Sequence, residues 1–114
     1  MNIELVSEYK NDVERFCKKR NLLPDDHRNL LTRLMANPSL GDLVPRTGGA
    51  RKARLKSAHG GQSGGFRVYY YYKAECDILY LLMIYAKNEQ DDIPEQRKAR
   101  LKELIHVLKN TKEK

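Results

Sequence analysis

Apolar residues in the first third of the chain recur at helical spacing. Tyr9, Val13, Phe16 and Cys17 form one stripe of a helix that begins at Ser7. Ser7 is a candidate N-cap, Glu8 suits the positive end of the helix dipole, and Lys18, Lys19 and Arg20 suit the negative end. A short strand over Ile3 to Val6 is expected before it, and Asn21 to Leu23 turn the chain. A second stripe, Leu30, Leu31, Leu34 and Met35, predicts a helix starting at Pro24 or Asp25. Pro38 ends it by Asn37, because the residue before a proline avoids helical geometry.

Beyond Pro38 the period shortens to two. Ser39 to Thr47, with Gly41 and Pro45, reads as a loop. Ala50 to Ser57 alternates, with Lys52, Arg54 and Lys56 on one face and Ala53 and Leu55 on the other. A glycine-rich connection from His59 to Gly65 leads into a second strand, Phe66 to Lys73, dense in aromatic residues. Val68, Tyr70 and Tyr72 share one of its faces, and Arg67, Tyr69, Tyr71 and Lys73 share the other. Glu75 to Asp77 make a turn, and Ile78 to Ala86 is the continuous apolar run of a strand buried on both faces. Asp91, Asp92 and Pro94 open a last helix, with Leu101, Leu104, Ile105 and Leu108 on its apolar side, and fraying is expected from Asn110. The sum is one α+β domain over residues 1–114: two N-terminal helices, an antiparallel sheet and a C-terminal helix. The helices are expected to cover one sheet face and leave the other, basic face partly open.

The charge distribution sharpens this picture. The chain carries 22 basic and 15 acidic residues, for a net charge of +7. Between Asp42 and Glu75 there is no acidic residue, while Arg46, Arg51, Lys52, Arg54, Lys56, Arg67 and Lys73 supply seven positive charges. The remaining 15 basic residues balance the 15 acids, so the whole excess lies in the middle third. Such a segment is an electrostatic footprint for a polyanion, nucleic acid first. Nothing at the N-terminus reads as a signal peptide, and the run Ile78 to Ala86 is far short of the roughly 20 residues of a membrane helix. A soluble, cytoplasmic protein is expected, with Cys17 and Cys76 as small buried apolar residues rather than disulfide or metal partners.

Set side by side, the two alternating strands would present cations interleaved with Tyr69 and Tyr71. Cations neutralise phosphates, and rings stack on unpaired bases at about 1–3 kcal/mol each. Arg51, Lys56 and Lys73 extend the expected RNA-binding set. The glycines lack the spacing of a phosphate loop, no carboxylate cluster sits near the basic segment, and His27, His59 and His106 have no zinc spacing. No metal or other cofactor is therefore expected. RNA carries its own nucleophile in the 2′-hydroxyl, so positioning and electrostatic stabilisation of a phosphorane are sufficient means of cleavage.

Four blocks carry a resemblance. They are Asn37-Pro38-Ser39-Leu40-Gly41-Asp42, Gly48-Gly49-Ala50-Arg51-Lys52-Ala53-Arg54, Gly64-Gly65-Phe66-Arg67-Val68-Tyr69-Tyr70, and Tyr80-Leu81-Leu82-Met83-Ile84-Tyr85-Ala86-Lys87-Asn88-Glu89. In this order and spacing they are similar to RelE/HigB-type toxins, in the HigB-like branch of the RelE/ParE superfamily. The resemblance implies a toxin of a type II toxin–antitoxin pair that cleaves mRNA in the ribosomal A site against 16S rRNA. It also implies a cyclic 2′,3′-phosphate product, no metal, and a cognate antitoxin, often containing a helix-turn-helix. By position it implies Lys52, Arg54, Arg67 and Lys87 as catalytic residues, with Asn88 and Tyr71 beside them. Arg46 departs from the pattern, because relatives commonly have glycine there. The segment Ser57 to Ser63 also carries fewer lysines than relatives place around this loop. Two other readings stand beside it: a ParE-like gyrase inhibitor, which shares the fold but does not need a phosphate-binding sheet, and a nucleic-acid-binding protein without catalysis.

Overall fold

A computed structural model of the protein describes residues 1–19, 22–55, 65–86 and 93–111. In chain order the elements are β1 (Asn2–Leu5), α1 (Ser7–Lys18), α2 (Pro24–Ala36), β2 (Asp42–Leu43), β3 (Arg51–Leu55), β4 (Phe66–Lys73), β5 (Ile78–Ala86) and α3 (Glu95–Asn110). The five strands form one sheet in the order β1-β5-β4-β3-β2. Among these strands only β1, beside β5, pairs in parallel; the other ladders are antiparallel. The α+β class, both N-terminal helices, and the bounds of β4 and β5 agree with the sequence reading.

Several details differ. The first strand starts one residue earlier than expected, and the cap position of α1 is Val6, with no side-chain cap bond, rather than Ser7. The segment expected to be an unbroken loop contains β2, whose two residues pair with Lys52 and Arg51. Helix α3 continues through Asn110, whose side-chain Nδ2 donates to the His106 carbonyl at 2.8 Å. Both cysteines are half-buried rather than buried.

The larger correction concerns the second face of the sheet. Helices α1 and α2 cover one face, packing Tyr9, Phe16, Leu30 and Leu34 against Val68, Tyr70, Leu79 and Leu81. Helix α3 lies on the opposite face, where Leu101 and Ile105 pack on Tyr69, Tyr71, Tyr80 and Met83. Tyr69, Tyr71 and Lys73 therefore do not stand on open surface: they are 2%, 9% and 3% exposed. Lys73 Nζ donates to the Leu108 and Thr111 carbonyls, each at 2.6 Å. Those carbonyls end a helix and lack intrahelical partners, and an ammonium answers both their hydrogen-bonding need and the negative dipole end. The last cation of β4 is thus a clasp for α3.

A second tether holds the α2–β3 connection. Arg51 and Tyr70 are cross-strand partners. The Arg51 guanidinium donates to the Gly41 carbonyl at 2.7 Å, and the Tyr70 hydroxyl donates to the Pro38 carbonyl at 2.6 Å while accepting from Gly41 N–H at 2.9 Å. The segment passes so close to β3 that a Cβ on Gly41 would lie 2.7 Å from the Lys52 carbonyl oxygen, so no other residue fits there. Arg51 is therefore engaged with this loop, away from the face carrying Lys52 and Arg54. Arg46 adopts a φ of 62°, the left-handed conformation that suits glycine.

Between α1 and α2, Tyr9 Oη and His27 Nε2 are 2.8 Å apart in buried surroundings. Burial holds the His27 imidazole below its ordinary value and pushes the Tyr9 phenol up.

Two outcomes are expected. Lys73→Met keeps the apolar stem and removes the ammonium; stability in urea should fall by about 2 kcal/mol, the usual worth of hydrogen bonds to a charged group. Amide exchange in the last turn of α3 should quicken with it, and an unchanged unfolding midpoint would mean that the clasp carries nothing. For His27, the unfolded imidazole takes up its proton at higher pH than the folded one. Stability should therefore drop as pH falls through about 6.5, and His27→Gln should flatten that slope in melts recorded across the window.

Candidate functional site

The pairing of β3 with β4 sets Arg54 directly opposite Arg67 and Lys52 opposite Tyr69. These four side chains share the sheet face that α3 covers in part, since Ala53, Leu55 and Val68 occupy the other face with α1 and α2. Like charges placed directly opposite on a sheet repel one another. Arg54 is exposed and can relax toward water, whereas Arg67 is half-buried. Arg67 Nη1 is buried and has no hydrogen-bond partner among the described residues. Leaving a buried donor unmade costs about 1–3 kcal/mol, more for a charged group. An acceptor placed against this nitrogen, an anion above all, would remove that cost.

Strand β5 adds a residue that sequence reasoning missed. Tyr85 is the cross-strand partner of Arg67, and its ring packs with the α3-side core. The Tyr69 ring meets it nearly perpendicular, at 89° and 6.1 Å between centroids. The Arg97 guanidinium, from the first turns of α3, lies 5.4 Å from the Tyr85 centroid. Neither was legible beforehand. Tyr85 lay inside an apolar run, and Arg97 belongs to a helix whose face of contact depends on packing.

Of the residues expected from sequence to form the site, the structure brings Lys52, Arg54 and Arg67 together on one face, with Tyr69 beneath them. Tyr71 and Lys73 share that face but lie under α3, where Lys109 Nζ sits 6.0 Å from the Tyr71 ring centroid. Arg51 points to the other side. Lys56, Lys87 and Asn88 lie outside the described residues, as does His59. Among the described residues no three His, Cys, Asp or Glu side chains come together as a metal site.

A family model described as the RelE toxin of the RelE/RelB toxin–antitoxin system matches residues 9–114. The chain belongs to the RelE toxin family. Membership implies a cognate antitoxin as partner. The structure is also similar to that of a double mutant of the E. coli toxin RelE in its free state, with a TM-score of 0.50 and 15% identity over 79% of this chain and 86% of that one. At that identity the likeness concerns the fold: two N-terminal helices, a mostly antiparallel five-stranded sheet and a C-terminal helix. No helix among the described residues is long and apolar enough to cross a membrane.

The unpartnered Nη1 of Arg67 in this RelE-family protein leads to a stability prediction. Arg67→Met, which keeps the stem and removes the buried donor, should raise the stability of the free protein by about 1 kcal/mol, or about 4 °C in Tm. Any function that uses the guanidinium should be lost in the same variant. A fall in Tm instead would make Arg67 a structural residue.

Proposed function

We propose that this RelE-family protein is a ribosome-dependent mRNA endoribonuclease of the HigB-like branch, the toxin of a type II toxin–antitoxin system acting in the cytoplasm. The observation that carries the reading is the Arg54–Arg67 pair with its buried, unanswered Nη1, a built anion site on a sheet face lined by further cations. A phosphodiester in the ribosomal A site, against 16S rRNA, would supply the missing acceptor.

The chemistry follows from the groups at hand. The 2′-oxygen of the substrate attacks the adjacent phosphorus, the 5′-oxygen of the next nucleotide leaves, and a cyclic 2′,3′-phosphate remains. Arg67, held by the ladder and covered from water on one side, binds a non-bridging oxygen and stabilises the charge that accumulates as the fifth bond forms. Arg54 opposes it across the strand pair and closes on the same phosphate. Guanidiniums hold their protons throughout, so proton transfer to and from the reacting oxygens falls to an amine or a phenol. Lys52 and Lys87 are the candidate amines. Asn88 and Lys56, carried over from the sequence pattern, are proposed to contact the RNA at the margins of the site. Binding to the antitoxin, proposed to contain a helix-turn-helix, keeps the protein from the ribosome.

The test is translation in a purified system with mRNA ends mapped by primer extension, with and without ribosomes. Cuts at A-site positions should appear only with ribosomes, and Arg67→Ala should reduce their rate by about 10²–10³-fold, the usual effect of removing one transition-state donor. Intact mRNA in a system that translates normally would sink the endonuclease reading; a gyrase supercoiling assay on the same preparation would then address inhibition of that enzyme.

A further inference from the structure

Helix α3 carries a cation that the sheet-based site does not account for. On this helix Lys98 pairs with Glu95 at 3.6 Å, and Arg100 pairs with Glu8 at 2.5 Å and Glu103 at 3.2 Å. Arg97, just before them, has no carboxylate partner among the described residues, and its side chain lies over the Tyr85 ring. Its own helix cannot neutralise it. The positions three and four residues away are Ile93, Pro94, Arg100 and Leu101, none acidic and one of like charge. An exposed arginine with no electrostatic partner would ordinarily extend into water. This one is laid on an aromatic face, an arrangement that fixes its position and leaves the in-plane N–H donors available to another acceptor.

The support beneath it is itself ordered. Tyr85 is braced by the edge-to-face contact with Tyr69, and across the ladder it is paired with Arg67. A row therefore runs Arg54, Arg67, Tyr85, Arg97, across two strand pairings and onto α3. Its two ends are exposed guanidiniums, and its middle holds half-buried Arg67, whose Nη1 lacks an acceptor.

We infer that Arg97, positioned on the Tyr85 ring, is a third phosphate-binding guanidinium of the site and holds a phosphate of single-stranded RNA neighbouring the one at Arg54 and Arg67. This rests on the RNA-cleaving reading above. Arg97 is a positioning residue: it fixes the strand so that the scissile phosphate is presented to Arg67, and α3 becomes a wall of the site as well as a cover for the core.

The experiment uses the whole protein and a fluorescein-labelled single-stranded RNA with 2′-O-methyl sugars, which lack the nucleophile. Binding is followed by anisotropy over a salt series. Removing one phosphate-binding cation lowers the slope of log K against log salt by about 0.7 for a single strand. Arg97→Ala should lower the slope by about that amount and weaken binding about tenfold, the equivalent of one charge-assisted hydrogen bond, with Tm unchanged. Arg97→Lys should recover the slope. Tyr85→Phe should behave as wild type, and Tyr85→Ala should reproduce the effect of Arg97→Ala. In the translation assay Arg97→Ala should raise KM more than it lowers kcat. Lys102→Ala, an exposed cation elsewhere on the same helix, should leave the slope as it is. The inference is overturned if Arg97→Ala binds like wild type while Arg67→Ala does not, or if Lys102→Ala lowers the slope equally. In both cases the cleavage reading survives. Wild-type protein that neither binds the oligonucleotide nor cuts mRNA removes that reading, and the inference with it.

Discussion

The pairing of β4 with β5 slips by one residue between Tyr69 and Tyr70. Tyr69 faces Met83, Tyr70 faces Leu81, and Leu82 has no partner across the ladder. A bulge of this kind turns two successive side chains to the same face. Leu82 and Met83 accordingly both pack beneath α3, while Leu81 and Ile84 lie on the α1–α2 side. Everything beyond the bulge is exchanged between faces relative to an unbroken strand. Tyr85 thereby comes to the face of Arg67 instead of entering the core under α1, and Arg97 finds a ring to lie on. The composition of the site depends on this single irregularity.

The second dependence is on α3. A sheet with one face covered would leave Tyr69, Tyr71, Tyr80 and Met83 against water, and α3 removes them from it. Its attachment at one end is polar, through Lys73 and the final carbonyls, and apolar along its middle, through Leu101 and Ile105. The same docking leaves the other end of the helix beside Arg67 and Tyr85. Burial of the aromatic strand and definition of the site are thus one packing event, and the helix cannot loosen its clasp without disturbing both.

Elsewhere among the described residues, buried and half-buried polar side chains find partners. Tyr70, Arg51, Thr47 and Lys73 all reach backbone carbonyls, and the Ala50 N–H is met by Thr47 Oγ1. Against that background the unanswered Nη1 of Arg67, opposite Arg54, stands out as a buried donor without an acceptor in the free fold. Arg46, in left-handed backbone with an exposed side chain, is a smaller strain.

Much of this was legible in the residues. Helical periods identified α1 and α2, aromatic density identified β4 and a continuous apolar run identified β5, since each depends on residues near one another along the chain. The absence of acids between Asp42 and Glu75 located the basic face, and strand alternation grouped Lys52 and Arg54 with Arg67. The motif blocks pointed to the family. What the sequence left open were the relations between elements far apart in the chain. Alternation places Tyr69, Tyr71 and Lys73 on one face but cannot say that α3 will cover them. An ammonium reads the same whether it meets a phosphate or the carbonyls of a helix end. A continuous apolar run hides a bulge because every position in it suits the interior on either face. The elements were therefore set by local chemistry, while the membership of the site was set by register and docking, which only the assembled sheet and its third helix decide.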